Sequence, residues 1–329
     1  METQKTSILG SGIYLPKNEL SSGDFENLIG LPEGFIEKRT GIKSRRWGSE
    51  EESVEYMAGE AALNAVENSN VQSIDGVHLC LDIISTQRGI EFSTSIEDRI
   101  KEIVEVSPNF HVETTANYCP GFIYSLNNAF LKVRSGQAEN LLVVASTNYR
   151  DVINFNRHFN DSFCKEKGFN LKSKEVLSFP LESKDLVFQS PILNSFLWGC
   201  GAAAVVVGRS SEDQEYFFQS RESKKIRREA FAPGYDIRGD GFAALDGKAI
   251  SRFAEQEVPI FIEDFLKYSG LKISEIDHFI PHQPNSIILE RLRDSLNFPK
   301  DRFYVSCDYL GNMIAASLPA TYNIAKSQG

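Results

Sequence analysis

Cys119, His282 and Asn312 are the side chains whose types and surroundings could carry a covalent reaction. Cys119 stands in Asn117-Tyr118-Cys119-Pro120-Gly121-Phe122, after an extended stretch over residues 110–116. A helical stripe of Phe122, Ile123, Leu126, Ala129, Phe130 and Val133 follows, and Gly136 closes it at the C′ position. Pro120 suits the first helical position, where its missing N–H costs nothing. The thiol is therefore expected at the mouth of a largely buried helix, where the dipole and unpaired amides favour thiolate and a developing oxyanion. His282, in Ile280-Pro281-His282-Gln283-Pro284-Asn285, and Asn312, in Asp308-Tyr309-Leu310-Gly311-Asn312-Met313, each follow a strand end. Catalytic groups gather at the carboxyl ends of strands in an open α/β sheet, so three such turns can converge. A thiolate, an imidazole and a carboxamide can hold a thioester and stabilise negative charge on its carbonyl oxygen.

Each residue alone has a plainer reading: a buried thiol that packs, a structural histidine, an asparagine in a turn. That plainer reading is taken for Cys80 and Cys307, each in an apolar strand. Five widely spaced cysteines, with no CxxC pair and no signal peptide at the N-terminus, give neither a disulfide framework nor a structural zinc site. His278 and His282 are four apart, but on a strand that spacing separates them by about 13 Å, so no metal is expected there. Lys38, Arg39, Lys43, Arg45 and Arg46 form a local basic run that reads either as a solvated turn or as an entrance for an anionic ligand.

These residues need a scaffold, and 329 residues suffice for a large core. A net charge of -10 argues against nucleic acid as the main partner. With no run of about eighteen apolar residues to span a membrane, the cytoplasm is the default location. Strands alternate with helices, as in an α/β protein. Residues 7–14, 77–84, 141–146 and 202–207 read as strands, the last three apolar enough for a sheet covered on both faces. Gly10-Ser11-Gly12 matches only the start of a dinucleotide fingerprint, and Pro16 ends that reading. Ser53 caps a helix with Met57, Ala58, Ala61, Ala62 and Ala65 on one face. The second half repeats the grammar: a helix over residues 250–269 kinked at Pro259, a strand at 278–281, a helix from about Asn285, a strand at 303–306 and a helix over 313–325. The order suggests two similar halves, 1–212 and 213–329. Residues 149–193 lack a sustained period and read as an insertion, either over the site or decorative.

Several segments, in order, resemble the ketoacyl-acyl-carrier-protein synthase III family of thiolase-fold condensing enzymes. Arg39-Thr40-Gly41-Ile42 resembles its R-T-G-I signature, and Cys119-Pro120-Gly121-Phe122 its C-x-G-F turn. The run from Gly199 to Val206 is similar to its G-D-G-A strand. Pro281-His282-Gln283-Pro284-Asn285 matches P-H-Q-x-N, and Gly311-Asn312 with Ala315-Ala316-Ser317-Leu318-Pro319 matches G-N-x-x-A-A-S-x-P.

The resemblance implies a five-layer αβαβα fold, a homodimer and no cofactor beyond coenzyme A and acyl-carrier-protein substrates. It implies that Cys119 accepts an acyl group from acyl-CoA, and that His282 and Asn312 hold the carbonyl oxygen of malonyl-acyl carrier protein as it decarboxylates. Phe35 takes the position of an aromatic that stacks on adenine, and Arg39 lies near the nucleotide phosphates. Lys248 and Asn285 complete the substrate-binding set. The chain also departs from the family. Cys200 replaces the Asp of G-D-G-A, Ile287 stands where an arginine is frequent, and the 149–193 span is longer than usual. Relatives continue beyond the equivalent of Gly329 through closing strands and a glycine-rich loop that supplies an oxyanion amide. Two further readings stay open: acyl transfer from Cys119 to an oxygen, nitrogen or sulfur nucleophile without decarboxylation, and a non-catalytic subunit paired with an active synthase. A hydroxymethylglutaryl-type synthase needs a glutamate base, which the strand end at residues 82–86 does not offer. A papain-like protease would carry its cysteine near the N-terminus.

Overall fold

The computed structural model describes residues 4–29, 32–81, 86–115, 117–149, 196–212, 214, 216–221 and 247–328. Strands β1 (Thr6–Tyr14), β4 (Ile74–Leu81), β5 (Val106–Thr115), β6 (Asn140–Thr147) and β7 (Gly201–Arg209) form one sheet in the order β1-β7-β6-β4-β5. β4 runs parallel to β5 and β6, whereas β7 is antiparallel to β6 and β1. Two short strands, β2 (Glu19–Ser21) and β3 (Ser44–Arg46), pair separately.

The near-continuous apolar runs of β4, β6 and β7 are explained by burial on both faces. Val77, Leu79, Leu142, Val144, Ala204 and Val206 face Met57, Ala58, Ala61 and Ala62 of a helix and Ile96 and Ile100 of another. Cys80, Leu141, Val143, Ala203 and Val205 face Phe122, Ala129, Phe130 and Val133 on the opposite side, together with Ala316 and Ala320 from the C-terminal segment. The helices preceding the sheet's second half are α1 (Ser22–Ile29), α2 (Phe35–Thr40), α3 (Val54–Glu67), α4 (Thr86–Ile103) and α5 (Gly121–Arg134). Ser53 caps α3, its hydroxyl accepting from the Tyr56 amide at 3.2 Å. Gly10 and Gly12 serve this packing, since a Cβ on either would lie 2.3 Å from the Ala65 or Ala61 carbonyl oxygen of α3.

α5 ends as its sequence predicts. Gly136 has φ 76°, its amide donates to Val133 O, and the Gln137 amide donates to Lys132 O, which is a Schellman closure. At its other end Pro120 occupies the cap, one position before the expected first turn.

The C-terminal part differs more from expectation. Instead of one helix kinked at Pro259 there are two, α6 (Gly247–Gln256) and α7 (Val258–Ser269), interrupted at Glu257. Pro259 lies in the first turn of α7, where no intrahelical donor is demanded of it. The strands expected at 278–281 and 303–306 reduce, among the described residues, to a single parallel bridge between Phe279 and Phe303. α8 (Ser286–Ser295) begins at Asn285 as expected, and its apolar face joins Phe298, Phe303 and Cys307 in a separate core. Cys307, expected in a strand, instead opens the one-turn helix α9 (Cys307–Leu310). A 3₁₀ turn at Ile314–Ala316 precedes α10 (Ser317–Ser327).

Candidate active site

Cys119 is half-buried just ahead of α5, whose N-terminus carries no side-chain cap. Uncapped amides and the positive end of the dipole therefore face the segment that holds the sulfur. The turn is tight: the Gly121 amide donates to Tyr118 O at 3.0 Å, and Tyr118 adopts φ 44°, in the left-handed region. For a side chain of that size this conformation costs roughly 1–3 kcal/mol, retained only where surrounding structure enforces it. Cys80 and Cys307 lack this setting. Burial pushes the thiols of Cys80 and Cys307 up to about 12, which keeps them protonated and inert.

Cys119 packs into a cluster with Tyr149, Cys200, Ile314, Trp47 and Trp198. Trp198 stacks on Tyr149 at 4.3 Å and forms a parallel bridge with Asn312. Ile314 lies two residues beyond Asn312, so the cysteine and asparagine turns meet through shared neighbours. The meeting depends on close backbone contact. Asn312 N donates to Leu197 O at 2.7 Å and Gly199 N to Asn312 O at 3.0 Å. A Cβ on Gly199 would come within 1.9 Å of Leu310 O, and Gly311 has φ 71°. Ile314 is also left-handed, at φ 50°. Strained residues thus stand immediately before the thiol and just after the carboxamide.

The Asn312 side chain has a fixed orientation. Its Oδ1 accepts from the Ile314 amide at 2.8 Å and from Ser317 Oγ at 3.3 Å, while Ser317 Oγ accepts from the Met313 amide. Occupying the carbonyl end leaves the NH₂ end as the available donor.

His282 is secured from the C-terminal side through its neighbour. Gln283 is fully buried and makes four hydrogen bonds. Its Nε2 donates to Pro281 O and Tyr304 O, and its Oε1 accepts from the Ser306 and Cys307 amides. The His282 turn is thereby fastened to the start of α9, the same helix that leads into Gly311 and Asn312. The ring is part-buried with Nδ1 on its buried edge, where it finds no partner among the described residues. Burial holds its pKa at about 4, so the imidazole is neutral. A buried N–H without an acceptor is less tolerated than a bare lone pair. We therefore assign the proton to Nε2, which makes the ring a donor at its open edge. The structure gives the His282 ring no hydrogen bond to Asn312; what joins their two turns is α9.

The substrate-binding candidates fall in two places. Arg39 lies over the Phe35 ring at 5.1 Å, and Phe35 meets Phe196 edge-on. Glu26 organises this turn from below, its buried carboxylate accepting from the Gly34 and Ile36 amides. Asn285 spends its side-chain oxygen capping α8 through the Ile288 amide. Lys248 falls in the first turn of α6, with its side chain outside the described residues. Within the basic run, Lys38, Arg39 and Lys43 are exposed, but Arg45 is fully buried. Its guanidinium donates to Phe196 O, Trp198 O and Ser22 Oγ and lies over Phe25, while burial lowers its pKa to about 10. Arg45 is thus part of the frame that carries Trp198, not of an entrance. His278 pairs through Nδ1 with the Tyr304 hydroxyl at 3.0 Å. Cys200, in place of the family's aspartate, lies 3.5 Å from Asn148 Oδ1. Gln283, Ser317 and Arg45 are positioning groups signalled in the sequence only by their polar types within otherwise small or apolar segments.

Known proteins resemble this chain along nearly its whole length. Residues 266–329 match the family described as 3-oxoacyl-[acyl-carrier-protein (ACP)] synthase III C terminal. Over 98% of the chain and 91% of the relative, the sequence is 27% identical to β-ketoacyl-[acyl-carrier-protein] synthase III of Aquifex aeolicus. The crystal structure of the Aquifex aeolicus 3-oxoacyl-[acyl-carrier-protein] synthase III superposes with a TM-score of 0.75 at 26% identity, covering 98% of this chain and 91% of that one. Xanthomonas campestris OleA, solved with bound lauric acid and lauroyl-CoA, shares the fold at a TM-score of 0.78 and 17% identity over 99% of this chain and 92% of that one. The chain is thus similar over nearly its whole length to ketoacyl-acyl-carrier-protein synthase III enzymes, matches their C-terminal family over residues 266–329, and shares their α/β thiolase fold.

Proposed function

We propose that the protein is a β-ketoacyl-carrier-protein synthase III-type acyltransferase that performs a decarboxylative condensation on Cys119. The carrying observation is the shared cluster that joins a thiol at a helix mouth to a carboxamide whose oxygen is tied down. The Cys119 thiolate attacks the carbonyl carbon of acyl-CoA, a C–S bond forms, and the coenzyme A thiol leaves with the proton. A malonyl thioester then enters. As its carboxylate departs as carbon dioxide, the electron pair of the broken C–C bond passes into an enolate. Nε2–H of His282 and the NH₂ of Asn312 donate to the enolate oxygen. Neutral donors suit this step, because decarboxylation needs charge stabilisation and not proton removal. The enolate carbon attacks acyl-Cys119, a C–C bond forms, and the thiolate is expelled from the β-ketoacyl product.

Phe35 and Arg39 offer an aromatic face and a cation for the coenzyme A nucleotide, with Lys248 and Asn285 as further binding positions by family resemblance. We read the protein as two similar halves meeting near residue 212 and as a cytoplasmic enzyme acting on acyl-CoA and malonyl-acyl carrier protein. No helix among the described residues is long and apolar enough to cross a membrane. Among the described residues β5 is a ten-residue edge strand of the sheet, and pairing with a second copy would satisfy that edge in a homodimer.

Carbon dioxide release tests the reading. Acylated enzyme given malonyl thioester should release one carbon dioxide per β-ketoacyl product. Turnover of acyl-CoA with a hydroxyl, amine or thiol acceptor but no carbon dioxide would instead mark simple acyl transfer. Failure to acylate would mark a non-catalytic subunit.

A further inference from the structure

On the α5 side of the sheet, β4 and β5 bring three metal-ligating side chains together. Parallel pairing sets Gly76 beside His111 and His78 beside Glu113. His111 and Glu113 are two apart on β5 and so share a face, which is also the face that carries His78 and Cys80. One ligand atom from each of His78, His111 and Glu113 lies within 4.8 Å of the others.

Three independent features distinguish this group from an ordinary polar cluster. First, His78 is 1% exposed, and neither ring nitrogen has a hydrogen-bond partner among the described residues. Leaving buried polar atoms unmet costs about 1–3 kcal/mol per group, so such a ring calls for a ligand. Burial keeps it neutral, which is the form that binds metals. Second, Glu113 is already oriented. Lys132 of α5 holds Oε1, leaving Oε2 to face His78 Nε2 at 3.6 Å. Two donors on a tetrahedral ion at zinc distances stand about 3.4 Å apart, and a ligating carboxylate is normally held by a second partner in this way. Third, Gly76 leaves room for the His111 ring. A Cβ there would lie 2.6 Å from His111 Cε1, so the ring rests over a gap in β4 directly along the strand from His78.

We propose that His78, His111 and Glu113 form a site for one divalent transition-metal ion of the kind that favours imidazole, such as Zn²⁺. The site takes two nitrogen ligands and one oxygen, with remaining positions for water. It has no part in acyl transfer. Lys132 lies near the C-terminal end of α5, about 16 Å along the helix from the turn that carries Cys119. Its effect is structural: an ion there fastens the edge strand β5 to β4.

The test uses untagged full-length protein carrying Cys119→Ala, so that the nucleophilic thiol does not compete for the ion. After chelator treatment and dialysis, calorimetric titration with Zn²⁺ should give one site per chain, and Zn²⁺ should raise the melting temperature. Adding His111→Ala or Glu113→Gln should weaken that site at least about ten-fold and abolish the rise, as expected for loss of a ligand. Visible bands of a Co²⁺-substituted sample should change in the same variants. Glu113→Gln keeps the side-chain shape and decides the matter if His111→Ala fails to fold. No saturable binding by the parent, or equal affinity in parent and Glu113→Gln, overturns the proposal.

Discussion

The neutral state of His282 makes a measurable prediction about acid stability. An ordinary histidine titrates near 6.5, whereas burial holds His282 at about 4. A base with a depressed folded pKa binds fewer protons in the native than in the unfolded state, so stability rises with pH between these values. The contribution is complete above the unfolded pKa and is lost as pH falls toward the folded one. Between about pH 7 and about pH 4.5, linkage with these two pKa values gives a loss of roughly 2.4 kcal/mol. The part-open ring reduces this to about 2 kcal/mol. His78, also held at about 4, makes a similar contribution, but it is common to the parent and a His282→Asn variant and cancels in their comparison. Urea unfolding of both proteins at the two pH values isolates the effect. The parent should lose about 2 kcal/mol more than the variant on acidification. Equal losses would refute the buried neutral imidazole, and with it the assignment of His282 as a donor at neutral pH.

Three further outcomes follow from the frame around the site. Ser317→Ala removes one of two donors to Asn312 and strands the Met313 amide, so it should cost about 1–3 kcal/mol in urea unfolding and slow condensation roughly ten-fold or more while sparing acylation, read by separate half-reaction assays. Gly199→Ala would force its methyl onto Leu310 O; it should lower the melting temperature and suppress condensation through displaced Asn312, and an unchanged enzyme would contradict the close approach. Arg45→Lys cannot hold Phe196 O, Trp198 O and Ser22 Oγ together; a loss of about 1–3 kcal/mol in urea unfolding is expected.

The parts of the fold that local physics controls were legible in the sequence. Ser53 at the start of α3, Gly136 at the end of α5 and the doubly apolar strands were read from capping and periodicity alone. The cysteine turn was legible for the same reason, because Pro120 and Gly121 before a helical stripe permit few conformations. What escaped depends on contacts between distant segments. The register that sets His78 beside Glu113 and Gly76 beside His111 belongs to two strands separated by α4, and neither segment alone reveals it. Arg45 looked like one charge in a basic run; only the approach of Phe196 and Trp198, about 150 residues later in the chain, buries it. Pro259 was expected to kink a continuous helix, whereas Glu257, two residues before it, already separates the two helices and caps the second. Asn285 was read as a binding residue, and the structure gives its oxygen to α8.

The most direct measurement is intact mass after brief incubation with acyl-CoA, followed by peptide mapping. The account predicts a single acyl adduct on Cys119 that disappears in Cys119→Ala, with Cys80 and Cys307 unmodified in both proteins. An adduct that persists in Cys119→Ala, or that maps to either of the buried thiols, would contradict it.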